Sequence, residues 1–325
     1  FLNFSDDLDL AFNNIITRIC VPIFFVITGY FVAKKEKNNG NYIKDYIKKI
    51  IPLYLFWSLL YVPVIISTII EYLPSISIYI SKININPIAL IVISILLLPI
   101  ILLIALCYTG VYYHLWYFPA LIFSLLVLSK WKKKLNINFL LIISFMLLLF
   151  GATETYYGIL PSSIKNLLSY YYNIFFTTRN FLFFGLFYVV LGYQLGKKEK
   201  IYSKYCFVKL IVSFFLLTFE AILLHDSNRL NSNILLSCVP LTYYLFISSI
   251  YITNNMKLKF QFDNYSKYYY LIHPMIIFYL SLIFKNIADY PFLNIIIVLL
   301  ITHTISNLII KFQKNKRRTY EKRNN

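Results

Sequence analysis

Charge is scarce in this sequence. Only 14% of its residues are Asp, Glu, Lys or Arg, against about 25% in an ordinary soluble domain, and 59% are apolar against about 45–50%. Such a chain lacks the polar surface a water-soluble fold needs, so it is read as a multi-pass protein of a cell membrane, with the lipid bilayer as its first partner. Lipid offers no hydrogen bonds to an open backbone, which leaves helices or a closed barrel. In-and-out alternation is missing as well: IALIVISILLLPIILLIAL at 88–106 is apolar throughout, which excludes the barrel. Cysteine is rare, with Cys20, Cys107, Cys206 and Cys238 scattered singly, so neither a disulfide framework nor a metal site is expected. The sequence contains no C-x-x-C, no H-E-x-x-H, no phosphate loop and no Rossmann fingerprint, and leaves no sizeable soluble domain between its apolar runs. Acidic residues are few, 13 against 31 basic, for a net charge of +18. The basic residues form short clusters between apolar runs, where membrane topology accounts for them, so no nucleic-acid partner is expected.

What is present is a series of apolar segments, near 15–33, 46–71, 86–106, 112–130, 137–151, 176–196, 206–224, 233–253, 268–284 and 292–311. The fold class is therefore all-α, a polytopic membrane helix bundle of about ten hydrophobic segments. Basic clusters at 34–49, 130–134, 197–204, 257–267 and 311–323 are assigned to the cytoplasm. Two segments lie between the first two clusters beyond the span at 46–71, so the parity is wrong by one. The expectation is that 86–106 is re-entrant or lies along the bundle, unless the 130–134 cluster breaks the rule. Residues 1–14 then read as an extracytoplasmic linker, 15–312 as the bundle and 313–325 as a basic cytoplasmic tail. An outside start for the first segment requires a signal peptide or an earlier crossing, and the simplest expectation is that a first helix is lacking.

Polar residues gather at one side of this arrangement. Arg18 opens RICVPIFFVITGYFVAKK at 18–35, and His114, Arg179 and Glu220 fall near the same ends of their helices, with Glu154 and His225 in the adjoining loops. Two accounts of Arg18 stand: snorkelling to the outer headgroups, or one wall of an outward-facing polar pocket. HLWYFPAL at 114–121 reads either as an interfacial aromatic belt or as a pocket in which His114 is a donor and Pro119 exposes backbone carbonyls. His273 is expected to cap the cytoplasmic start of the ninth segment, and His303 to be a packed histidine. Gly192 and Gly196 have the spacing of a close helix–helix contact.

Four stretches, RICVPIFFVITGYF (18–31), YYHLWYFPALI (112–122), RNFLFFGLFYVVLGYQL (179–195) and IHPMIIF (272–278), resemble acyltransferase family 3, a family of multi-pass membrane acyltransferases, and also the membrane half of vancomycin-resistance serine racemases. The resemblance implies transfer of an acyl group, commonly acetyl, from acetyl-CoA or another acyl-CoA acting as donor substrate. The acceptor it implies is a hydroxyl of an envelope glycan, peptidoglycan or lipid-linked molecule, and no bound cofactor is implied. On this resemblance Arg18 and Arg179 match helix-opening arginines that polarise the acyl carbonyl or bind the donor. With His114 they make the candidate catalytic set, and Trp116, Tyr117, Asn180, Glu154 and His273 are candidates for substrate binding. The chain departs from the pattern in having Thr28 where a serine is usual and in lacking a proline within Gly185–Tyr188. The family's catalytic histidine is expected on the first helix. Two other readings stay open: an exporter of a glycan or lipid-linked sugar, and a membrane sensor.

Overall fold

The computed structural model describes residues 10, 15–81, 87–175, 177–201, 203–225, 227, 230–256 and 263–324, and among these it is helical with no β-strand. The linker expected at 1–14 falls almost wholly outside the described residues. Among the described residues twelve α-helices follow one another: α1 Cys20–Glu36, α2 Tyr42–Leu60, α3 Val62–Ser81, α4 Pro87–Ile104, α5 Tyr117–Trp131, α6 Ile137–Ala152, α7 Ser162–Phe175, α8 Leu186–Lys197, α9 Cys206–Leu223, α10 Cys238–Met256, α11 Asp263–Ile283 and α12 Pro291–Asn324. Among the described residues, three helices are suited by length and composition to crossing a membrane, Thr17–Glu36, Cys206–Leu223 and Pro291–Asn315. A fourth is the pair α2 and α3, bent by 45°. The break falls at Tyr61, just before Pro63, whose missing N–H and ring cannot continue the helix. The remaining apolar helices include several of 10–17 residues, Tyr117–Trp131, Ile137–Ala152 and Phe181–Lys197 among them, shorter than the ten-span expectation supposes.

The described part of the segment at 86–106 begins with α4, one continuous helix over Pro87–Ile104 with no turn inside it and every described side chain from Ile95 to Ile104 exposed, which disfavours the re-entrant alternative and leaves that of a helix lying along the bundle. The stretch between the expected segments at 137–151 and 176–196 contains a further helix, α7, of which only Leu168 is buried. Its sequence SSIKNLLSYYYNIF is too polar to stand out as a span, which is why an apolar scan passes over it.

A close backbone contact joins α1 to α8, and glycines permit it. A Cβ on Gly29 would stand 2.2 Å from the Val189 carbonyl oxygen, and one on Gly192 would stand 2.1 Å from that of Val26. Side-chain-free surfaces of this kind let two backbones touch where lipid gives no hydrophobic drive to association. Around this pair, α2, α5 and α6 complete a core rich in buried aromatics, including Phe25, Trp57, Tyr61, Phe118 and Tyr188. At the lysine-rich end of α1, Lys132 pairs with Glu36, whose other oxygen accepts from the Tyr193 hydroxyl at 2.6 Å. Helices α9 and α10 pack together at one flank and α11 and α12 at another. The expected tail at 313–325 continues α12 without a break as far as Asn324.

Candidate functional site

The segment before α8 shows how local sequence places an arginine. Thr177, Thr178 and Asn180 are all cap-forming residues, and each is used. The Thr177 hydroxyl accepts from the Arg179 N–H at 3.0 Å, and the Asn180 side chain accepts from the N–H groups of Leu182 and Phe183 at 2.9 and 3.1 Å. The Thr178 N–H and hydroxyl both donate to the buried carboxylate of Glu154, at 2.8 and 2.5 Å. Arg179 is therefore held at the helix entrance with its guanidinium 5.2 Å from the Trp116 ring centroid, a cation–π contact.

Trp116 and His114 come from a turn that glycine makes possible. Gly110 has φ +76°, and a Cβ there would stand 2.4 Å from the Trp116 nitrogen. This turn brings His114 among the rings of Tyr61, Tyr112, Tyr113 and Tyr270, with its carbonyl accepting from the Tyr270 hydroxyl. Both ring nitrogens of His114 are buried without a hydrogen-bond partner among the described residues. A buried orphan of this sort costs about 1–3 kcal/mol and marks a place where a ligand group or water belongs.

A cavity of about 1040 Å³ opens in front of these residues. It is walled by Arg18 from the turn just before α1, by Phe24 of α1, by His114 and Trp116, by Arg179, by one face of α11 and by one face of α12. The α11 face carries Tyr265, Tyr269, His273 and Ile277 at helical spacing, so the cavity follows that helix for roughly 18 Å at 1.5 Å per residue. His273 thus lies well inside α11 rather than at its start. Residues 263–267, expected to precede the span as part of a cytoplasmic cluster, are already helical, and the first expected span residue, Tyr268, is buried. The His273 ring lies 6.2 Å from that of His114, and its Nδ1 is 2.7 Å from the Tyr269 carbonyl. A carbonyl only accepts, so Nδ1 carries the proton and Nε2 of the neutral ring keeps its lone pair.

Of the residues singled out in the sequence, the cavity brings together Arg18, His114, Trp116, Arg179 and His273. Tyr117, Asn180 and Glu154 stand behind it. Tyr117 packs among Phe24, Phe25 and Tyr270, Asn180 caps the π-helical turn Phe181–Gly185 that leads into α8, and Glu154 ties Thr178 to Asn233. Glu220 also serves backbone: it accepts from the N–H groups of Leu236 and Ser237, both at 2.7 Å, and from Tyr156. Burial, then the Glu220 carboxylate, push the Tyr156 phenol up, so it stays a donor. Sequence reading missed Asn233, Asn294 and Tyr269 as wall residues, and it placed His303 in packing where the structure puts it on the cavity wall. The signal for Asn294 and His303 was present, since each is a polar residue inside an apolar run, which in a membrane needs a reason. The Asn294 side-chain oxygen is itself buried and without a partner among the described residues. Within that described set no three His, Cys, Asp or Glu side chains converge as a metal site would require.

Comparison with known proteins agrees with the helical membrane reading. An amino-acid racemase of Enterococcus faecalis is 26% identical over 341 residues, covering 99% of this chain and 44% of that protein. A second amino-acid racemase of the same organism is 27% identical over 67% of the chain and 28% of its own length. A serine/alanine racemase of Enterococcus gallinarum is 25% identical over 59% of the chain and 25% of its own length. The chain thus spans less than half of these relatives, and no solved structure matches it. The family model described as an acyltransferase domain matches residues 1–311. The chain belongs to that acyltransferase family.

Proposed function

We propose that this protein transfers an acyl group, acetyl in the simplest case, from a CoA thioester to a hydroxyl of an envelope glycan or lipid-linked acceptor inside the cavity described above. The observation that carries the reading is the convergence of two arginines and two neighbouring imidazoles, one with a defined basic nitrogen, on a single cavity. The acceptor hydroxyl gives its proton to His273 Nε2 as its oxygen attacks the thioester carbon. Arg179 and Arg18 balance the negative charge that builds on the former carbonyl oxygen. Collapse breaks the C–S bond, and the imidazolium returns the proton to the departing thiolate. His114, whose ring nitrogens lack partners among the described residues, supplies the second imidazole contact to the bound molecules. Tyr113, Trp116, Tyr265 and Tyr270 offer ring faces on which a sugar can stack.

The test is thioester turnover by the full-length protein in lipid nanodiscs, measured as free CoA released from acetyl-CoA with envelope glycan present. Turnover that falls at least tenfold in both His273→Gln and Arg179→Ala, with folding retained, supports the reading, and wild-type protein that releases no CoA with any envelope glycan removes it. A second reading, export of a glycan or lipid-linked sugar, draws on the length of the cavity along α11. It is favoured if Arg179→Ala abolishes export of the glycan itself, and disfavoured if the glycan is exported without its acetyl groups. The racemase relatives bear on the acceptor: a hydroxyl amino acid is worth including beside the glycans, since serine carries the hydroxyl that this chemistry needs.

A further inference from the structure

One end of the cavity holds a hydrogen-bonded chain that the transfer step does not use. Tyr265 and Tyr269 lie one helical turn apart on α11, and His303 and Asn307 lie one turn apart on α12. The Tyr265 hydroxyl donates to Asn307 Oδ1 at 2.5 Å, and the Tyr265 ring stacks on His303 with 9° between planes. With Oδ1 so occupied, the amide nitrogen of Asn307 faces His303 Nε2 at 2.9 Å and donates to it. Nε2 of the neutral ring is then the acceptor, so the proton sits on Nδ1, which is 2.7 Å from the Tyr269 oxygen and donates to it. One lone pair of the Tyr269 oxygen is thereby taken, and its own proton is turned away from His303. Tyr265, Tyr269 and His303 all line the cavity, so that proton is offered to whatever fills it.

The position of this donor selects its partner. Tyr269 precedes His273 by four residues on α11, so the two side chains leave the same helix face one turn apart, with a backbone rise of roughly 6 Å between them. In a CoA thioester the first amide of the pantetheine arm is separated from the sulfur by two methylene groups, which in extended form places its carbonyl at a similar separation, roughly 6 Å, by ordinary bond lengths. We propose that Tyr269 donates a hydrogen bond to the first amide carbonyl of the acyl donor's arm, with His303, Asn307 and Tyr265 as positioning residues that hold its proton toward the cavity. The assignment rests on the acyl-transfer reading and adds to it a specificity contact: the donor is measured by the distance between its thioester and its amide.

The experiment compares three acetyl donors with the full-length protein in nanodiscs: acetyl-CoA, S-acetyl-N-acetylcysteamine, which keeps only the first amide, and S-ethyl thioacetate, which has none. Tyr269→Phe is expected to raise KM about 3- to 10-fold for the first two donors, the worth of one neutral hydrogen bond, leaving kcat and the KM for S-ethyl thioacetate unchanged. His303→Leu and Asn307→Leu should each raise the same two KM values by less, and His303→Leu should add nothing when Tyr269 is already Phe. Equal KM values for wild type and Tyr269→Phe with all three donors would overturn the proposal while leaving acyl transfer standing. A Tyr269→Phe effect confined to the KM of the acceptor would overturn it too, by assigning the carbonyl to the acceptor. Wild-type protein that cleaves none of the donors would overturn both the transfer reading and the contact built on it.

Discussion

Gly192→Ala tests whether the α1–α8 contact is what holds the two arginines at one cavity. The added methyl carbon would stand 2.1 Å from the Val26 carbonyl oxygen and 2.8 Å from its carbon, both backbone atoms that no rotamer change can move. Ordinary contact begins at 3.4 Å, so the two backbones have to part by about 1.3 Å, and overpacking of this size costs about 1–3 kcal/mol. Gly40→Ala is the internal control, because nothing lies within 4 Å of a Cβ there. The assay is equilibrium unfolding in mixed micelles by a denaturing detergent, followed by tryptophan fluorescence and compared at equal protein and lipid. Gly192→Ala should lose about 1–3 kcal/mol and Gly40→Ala stay within about 0.5 kcal/mol of wild type. Gly29→Ala acts on the same contact, with its Cβ 2.2 Å from the Val189 oxygen, so the double variant should lose less than the two losses added. If Gly192→Ala proves as stable as Gly40→Ala, α1 and α8 do not sit backbone to backbone, and the placement of Arg18 relative to Arg179 fails with them.

Other expectations follow from single contacts. Glu220→Gln removes the charge from an acceptor of two backbone N–H groups at the start of α10 and of the Tyr156 phenol, and should cost about 2–3 kcal/mol in the same unfolding assay. A loss below about 0.5 kcal/mol would show that the carboxylate is dispensable there. Lys132→Met strands Glu36, whose side chain is only 11% exposed, and should destabilise by about 1–3 kcal/mol, whereas Lys132→Met with Glu36→Met should recover most of that loss. A double variant no more stable than the single one would refute the pairing. Arg179→Lys keeps the charge but not the flat cation over Trp116, and thioester turnover should stay below a tenth of wild type, with unfolding unchanged. Turnover near wild type would mean that charge alone suffices.

The sequence by itself determined the solvent, the helical class and the order of the apolar segments, because scarcity of charge and unbroken apolar runs leave the backbone no other way to bond in lipid. It also made the close packing at Gly192 and Gly196 legible, and it placed Arg18, His114 and Arg179 at the ends of their helices. Polar residues inside the apolar runs of α11 and α12, such as His273, Asn294 and His303, signal that something must hold them, but the one-dimensional pattern does not say which neighbour they turn toward. Only the tertiary structure decided that His273 faces His114 and that His303 lies on the cavity wall. It also decided that Glu154 and Glu220, acidic residues that looked fit for chemistry, are committed to backbone N–H groups. Those outcomes depend on how far each helix is rotated about its own axis. That rotation is set by contacts between segments distant in the chain, such as the Tyr61 hydroxyl on the Leu271 carbonyl at 2.9 Å and the glycine-lined meeting of α1 and α8.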